Sequence, residues 1–300
     1  MKMIRRIAAL LLCAALLPAG ALALEDTHPL PQLIPVQLGE GIEALHLEDD
    51  QKYQANEALF GEDGLSYHDD SLDIRIYRAR AYDTPVFIAF IQVADATQIR
   101  TKSAKPYPSQ ATVHPMALAK SVHAVFAINA DWFVYHNAGV IYRQGELLRD
   151  RPHEEYDGLF IDYNGDFHIV APLTREGVDA IGQPILNSFC FGPALVIDGE
   201  VCDIVRKETF RQRTAIGQIG TRQYVMVVTD GAMEKDSEGL SVPQMAQLMH
   251  DLGAVQAYNL DGGNSSVMLF HNTKINGQKA SKMRALGDIL YVTTAIPDGQ

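Results

Sequence analysis

The sequence predicts an α+β fold: a large mixed β-sheet with hairpins and a few flanking helices. Three observations point that way. Apolar runs with strand character recur along the chain, several of them are joined by hairpin-type turns, and only two segments carry a helical pattern.

The first residues read as an address rather than as structure. Lys2, Arg5 and Arg6 form a basic n-region, and Ile7 to Leu17 is apolar. Pro18 and Gly20 break any helix, and Ala21-Leu22-Ala23 is an A-x-A cleavage pattern. Residues 1–23 are expected to be a secretory signal peptide cut after Ala23, with the protein exported, either periplasmic or secreted. Cys13 follows Leu12, where a lipoprotein acylation site needs a small residue, so no lipid is expected. No later segment approaches the roughly 20 uninterrupted apolar residues of a membrane span, so no stable membrane anchor is expected.

Residues 24–71 are acidic and irregular, with Pro29, Pro31 and Pro35 near their start, and read as an N-terminal extension. Residues 72–300 read as one main domain, because no linker divides them. Leu72 to Arg78 alternates with period two, as a half-buried strand does, whereas Val86 to Val93 is nearly all apolar, as a strand covered on both faces is. Met116 to Val122 can form a short helix, and Ala124 to Ile128 a buried strand. Asn164-Gly165 separates two strand-like runs, Leu159–Tyr163 and Asp166–Val170, which is a strong hairpin signal. Asp162, Asn164 and Asp166 imitate the start of a calcium loop, but Phe167 stands where that loop needs glycine and no acidic residue closes it.

The clearest helix begins at Ser241. Ser241 and Gln244 make a capping box, and Pro243 sits in the first turn. Val242, Met245, Ala246, Met249 and Leu252 form one apolar stripe, with Leu248 at its margin, and Gly253 is a stop. Val255 to Leu260 follows as a buried strand.

Charge and composition exclude whole classes. Lys+Arg is 25 against 37 Asp+Glu, a net charge of −12, and losing Lys2, Arg5 and Arg6 with the leader would make it −15. So acidic a body disfavours nucleic acid as a partner, because a phosphate backbone needs a basic field. Hydrophobic residues at 47% and charged residues at 21% suit a full core, not disorder, collagen or coiled coil. Cys190 and Cys202 are candidates for a disulfide in an exported protein. A two-residue turn at Asp198-Gly199 pairs Ile197 with Glu200 and sets Cys202 opposite Leu195, so a bridge requires the chain before Gly192 to curl back.

The motifs of serine hydrolases, zinc proteases, P-loops and dinucleotide folds are absent, and the ten histidines are scattered. No metal site and no cofactor are expected; an assisting divalent cation stays open. What remains is a set of polar strand ends: Asn129–Phe133, Arg213–Gly217, Thr229-Asp230-Gly231 and Asn259–Ser266. Such ends can converge on one rim of a sheet. Gly262-Gly263 lets the backbone approach a ligand and expose N–H groups to an anion, although Asp-Gly-Gly-Asn also suits an ordinary turn.

Taken together, Arg213 to Gly217, Val225 to Gly231, Gly239-Leu240-Ser241 and Asn259 to Gly263 resemble the phosphodiester glycosidase family, over roughly residues 72–295. Asn129–Phe133 and Phe191-Gly192-Pro193-Ala194-Leu195 match it more loosely. The chain departs from the family at Ala130-Asp131-Trp132, where relatives often carry Gly-Gly-Phe, and at Asn264, where glycine is frequent.

The resemblance implies hydrolysis of a sugar–O–phosphate bond in a glycosyl phosphodiester, whether sugar polymer, glycolipid or oligosaccharide. On that reading Asp230 and Asp261 are the catalytic carboxylates that handle oxocarbenium character. Arg213 and the Gly262-Gly263 backbone hold phosphate, Asn129, Thr229 and Ser265 position oxygens, and Arg284 is a further phosphate contact. Trp132 is either core or a sugar-stacking platform, Asp131 a cap or turn residue, and His114 the start of a helix. Two other functions stay open: a non-catalytic glycan-binding protein on the same fold, and a metal-dependent phosphodiesterase using Asp230 and Asp261 as ligands.

Overall fold

A computed structural model describes residues 29–204, 209–232, 234, 236–277 and 283–297. The leader, with Cys13 and the Ala23 cleavage point, lies outside the described residues.

The α+β class is as the sequence predicts, and its strands are distributed over four sheets with antiparallel pairing throughout the described pairs. An eight-stranded sheet runs in the order Ser66–His68, Leu72–Ala81, Thr84–Val93, Gln223–Thr229, Thr214–Gly220, Gln256–Asn259, Ala194–Ile197, Glu200–Val201. A five-stranded sheet runs Thr273–Lys274, Met268–Phe270, Phe126–Asn129, Asp288–Val292, Ile99–Ser103. Their inner faces share one core, with Ile74, Phe87, Ile216, Met226 and Tyr258 from the first against Phe126, Ile128, Met268 and Leu290 from the second.

Each outer face is covered by a helix. Val242–Asp251 lays Met245, Ala246, Leu248 and Met249 on Ile88, Val225 and Val227, while Pro115–Ser121, N-capped by His114, lays Leu118 and Ala119 on Ala127, Ile289 and Tyr291. The layers are therefore helix, sheet, sheet, helix. This explains why Thr84–Val93 is buried at every position: it is central, with core on one face and helix on the other. Burying each large apolar side chain on the longer helix is worth about 1.5–3 kcal/mol. The capping box forms as expected, Ser241 accepting from the Gln244 N–H.

A smaller unit joins Gly139–Arg143 and Glu146–Arg151 to Ile185–Phe189, Gly158–Asp162 and Phe167–Val170, around Phe133, Phe160 and Leu173. The Asn164-Gly165 hairpin closes here, with Gly165 at φ +88° and the Asp162 carboxylate accepting from the N–H groups of Asn164 and Asp166. That carboxylate organises the turn, as the hairpin reading requires.

The sheet begins before Leu72, since Ser66–His68 already pairs with Leu72–Ala81. The described part of the extension contacts Asp251, Gln92, Arg100 and His271. Gln92, Arg100 and His271 lie at or beyond the strand ends opposite Thr229, Asp288 and Asn129. These contacts follow the rim away from the polar strand ends. No described helix is long and apolar enough to cross a membrane.

Candidate active site

Strand order brings the polar ends together. Thr214–Gly220 lies between Gln223–Thr229 and Gln256–Asn259 and antiparallel to both, with Thr214 opposite Val228 and Ala215 opposite Asn259. The start of the central strand, with Arg213, therefore emerges beside the exits of its neighbours, which carry Asp230 and Asp261. The other sheet joins at the same rim. Asn129 donates from Nδ2 to the Asp261 carbonyl at 2.6 Å, and its Oδ1 accepts from Thr214 Oγ1 at 2.8 Å and the Val267 N–H at 3.1 Å. Four segments distant in sequence thus meet at one place.

Asp230 is buried, 6% exposed. Burial first, then the Glu234 charge, push its pKa up to about 6, against the opposing pull of Lys274 and a hydrogen bond from the Gly277 N–H. It lines a hollow of about 40 Å³ with Gln212, Glu234, Ser265, Lys274 and Arg284. Asp261 is half-buried, and burial raises its pKa also. Hydrogen bonds from Ser265 and the Gly262 N–H and the charge of Arg284 oppose that rise, while Asp131 adds to it. Two carboxylates of raised proton affinity flank Gln212, whose side chain abuts Gly231 and whose carbonyl abuts Gly262. Among the described residues no group of three His, Cys, Asp or Glu side chains is arranged to hold a metal ion.

Several residues read from sequence as ligands have structural tasks instead. Arg213 stands at the rim, but its guanidinium donates to the carbonyls of Leu240 at 2.9 Å and Thr209 at 2.6 Å. It braces the segment leading to the helix rather than offering an open fork to phosphate. The Gly262 N–H is donated to the Asp261 carboxylate and the Gly263 N–H to the Gln212 carbonyl, so the expected anion cradle is closed by the protein itself. Gly262 serves a close approach: a Cβ there would lie 2.9 Å from the Gln212 carbonyl oxygen. Asn129 spends both ends of its amide on the junction just described. Thr229 Oγ1, fully buried, accepts from the Arg213 N–H.

Cys190 and Cys202 are free. The turn forms as the spacing predicts, Cys202 N–H donating to Leu195, and the chain does not curl back: Cys190 is held among Phe133, Val140 and Ile141 in a different core.

Arg284, unlike Arg213, keeps its guanidinium at the surface of this rim. It is exposed, donates from Nη1 to Ser265 Oγ at 3.3 Å, and lies with Cζ 5.3 Å from the ring of Trp132. Ser265 links the two polar groups, since it also donates to Asp261. Trp132 is half-buried, with φ at +56°, a strained position for a bulky side chain.

The residue pattern gave little sign of what holds that strain. Asp131, expected as a cap or turn residue, is wholly buried and paired 2.7 Å from Arg143, which also reaches Asp288 at 3.1 Å. Asp288 accepts from the Trp132 N–H, and burial and the Asp131 charge drive its pKa upward against Arg143. Asp131 accepts from the Cys190 N–H at 2.8 Å. An arginine in a strand otherwise apolar, Gly139–Arg143, was the one signal, and it names no partner. Glu234 and Lys274 escaped the sequence for the same reason, as neither belongs to a motif.

The sequence of the phosphodiester glycosidase family matches residues 122–293 of this chain. A prophage-derived uncharacterized protein of Bacillus subtilis, YomE, is 28% identical over 194 residues, which is 61% of this chain; the chain spans only 30% of that relative. Among solved structures, the catalytic domain of zebrafish N-acetylglucosamine-1-phosphodiester alpha-N-acetylglucosaminidase, auto-inhibited by its pro-peptide, aligns with TM-score 0.60 at 18% identity, covering 81% of this chain and 86% of that one. A hypothetical protein from Synechocystis aligns with TM-score 0.52 at 13% identity, covering 75% and 62%. These two likenesses concern the fold. With the family match running from the end of the first helix to beyond the last strand of the five-stranded sheet, the chain belongs to the phosphodiester glycosidase family.

Proposed function

We propose that this protein hydrolyses the bond between an anomeric carbon and a phosphate oxygen in a glycosyl phosphodiester, releasing free sugar and a phosphomonoester. One observation carries the reading: Asp230 and Asp261 stand at the exits of the two strands that flank Thr214–Gly220, both with raised proton affinity, and an exposed guanidinium, Arg284, lines the Asp230 hollow and bears on the Asp261 charge. Asp261, oriented by Ser265 and Gly262, faces the positive charge that develops on the sugar ring. Asp230, poised near pH 6, takes the proton of the attacking water or supplies one to the leaving oxygen. Arg284 and Ser265 hold the phosphate, on which the bonding electron pair is left. The basic, apolar, A-x-A leader supports placing this chemistry in an exported compartment.

The test uses methyl phosphodiesters of N-acetylglucosamine, glucose, mannose and galactose 1-phosphate in water enriched in heavy oxygen. Free sugar carrying the label, lost by at least about a hundredfold in Asp230→Asn and Asp261→Asn, is the expected result. Release of methanol and of sugar 1-phosphate carrying the label on its phosphate, with activity abolished by chelator, would make the protein a metal-dependent phosphodiesterase. Binding without turnover would make it a glycan-binding protein.

A further inference from the structure

The carboxylate of Asp261 and the guanidinium of Arg284 are both set by one short segment, Asn129 to Trp132. Asn129 Nδ2 donates to the Asp261 carbonyl at 2.6 Å, and the Ala130 carbonyl accepts from the Asp261 N–H at 3.3 Å, so the backbone of Asp261 rests on the start of the segment. At the segment's end, the indole of Trp132 lies with its ring 5.3 Å from Arg284 Cζ. Arg284 closes the circuit through Ser265, which it reaches at 3.3 Å and which donates to Asp261. The path from Asp261 to Arg284 is therefore only as definite as the conformation at Trp132, which has φ +56° and ψ +30°. A residue with a Cβ avoids that region, whereas glycine enters it freely.

Buried charges impose the turn. Asp131, wholly buried, is fixed by Arg143 at 2.7 Å and by the Cys190 N–H at 2.8 Å. Asp288, 2% exposed, accepts from Arg143 at 3.1 Å and from the Trp132 N–H. Arg143 also donates to the carbonyls of Tyr142 and Ser188, and its Cζ stands 4.4 and 5.0 Å from the rings of Phe133 and Phe189. Two carboxylates on one buried guanidinium are a poor source of stability, since apolar side chains of the same volume pack as well or better. What they supply is one conformation, here of the turn that carries Trp132. Tyr135 steadies the indole itself, ring to ring at 4.5 Å.

An indole suits the neighbour it is given. A carboxylate in its place would also orient Arg284 but would neutralise the charge that phosphate needs. An aromatic face attracts the guanidinium and leaves its charge whole. Resting on the proposed reaction, we propose that Trp132 is the positioning residue for Arg284. Held in a left-handed turn by Asp131, Arg143 and Asp288, its indole keeps the guanidinium beside Ser265 and Asp261, where the monoanionic phosphate of the diester lies. Trp132 touches no reacting atom in this scheme; it acts through Arg284.

Dimethyl phosphate, a diester without a sugar, is the probe, titrated by calorimetry into the full-length protein and its variants. Trp132→Gly removes the ring and suits the backbone. It is expected to weaken dimethyl phosphate binding and to raise KM for the methyl phosphodiesters, each about tenfold, with kcat changed less than about twofold. Trp132→Phe, which keeps an aromatic face, should recover most of that loss. In the Arg284→Ala background Trp132→Gly should have no further effect, because the group it acts through is gone. Asp288→Asn keeps an acceptor for the Trp132 N–H but not the charge; it should weaken binding severalfold alone and hardly at all beside Trp132→Gly, since glycine needs no support there. Independent, multiplying losses from Trp132→Gly and Arg284→Ala overturn the proposal, as does an affinity for dimethyl phosphate that Trp132→Gly leaves unchanged. Binding that shows the expected coupling, in a protein that turns over no glycosyl phosphodiester, refutes the reaction and upholds the positioning, so the two are read apart.

Discussion

Replacing Asp230 by asparagine should stabilise the fold while removing activity, and only above a definite pH. The carboxyl is raised from an ordinary 3.8 to about 6, with burial the leading cause. A raised acid pKa means that the folded state binds the proton more tightly than the unfolded one. The group's stability is therefore fully present below pH 3.8 and is lost as pH rises through about 6. About two pH units at 1.36 kcal/mol each give roughly 3 kcal/mol of penalty borne by the native protein above about pH 7. Asparagine keeps the shape and can still accept from the Gly277 N–H, but never ionises. Denaturant titrations of wild type and Asp230→Asn at about pH 4 and pH 8 test this: the variant should be more stable by roughly 2–3 kcal/mol at the higher pH, with most of the difference gone at the lower. A difference independent of pH, or a variant less stable in the alkaline titration, refutes the reasoning. The trade is one expected of a carboxylate kept for chemistry rather than for stability.

Further outcomes follow from the arginines and glycines of the rim. Arg213→Met should lower stability by about 1.5–3 kcal/mol for each lost charge-assisted bond to Leu240 or Thr209, measured by denaturant unfolding. Arg284→Ala should leave stability within about 0.5 kcal/mol and raise KM for the methyl phosphodiester about tenfold; the opposite pattern would return the phosphate to Arg213. Gly262→Ala forces its Cβ to 2.9 Å from the Gln212 carbonyl, whereas Gly263, at φ +61° with open space around it, should accept asparagine. Thermal melts should therefore fall clearly for the first and little for the second.

Features written in adjacent residues were legible in the chain alone. Ser241 with Gln244 announces a helix start, Asn164-Gly165 a hairpin, and the apolar run ending at Val93 a doubly covered strand, because each signal and its partner lie within a few residues. Asp230, Asp261 and Ser265 were also legible, as polar groups breaking off at strand ends. The task of Arg213 was not. Its acceptor Leu240 lies 27 residues away, and only the folded chain shows that the guanidinium is used there. The same holds for Gly262 and Gly263, whose N–H groups look open to a ligand in the sequence but are taken in the fold.

By itself the sequence determined the strand-rich α+β body, its helix caps and turns, and which segments carry reactive side chains. Periodicity and backbone preference act over a few residues and survive without a partner. Tertiary structure alone decided which charges are spent on the scaffold and which face the site. Arg143 meets Asp131 over 12 residues and Asp288 over 145, and His136 meets the rings of Trp132, Tyr156 and Phe191, which come from three separate loops. The energy of a buried charge or a ring contact depends on what surrounds it in space, and that surrounding exists only after the two sheets have closed on each other.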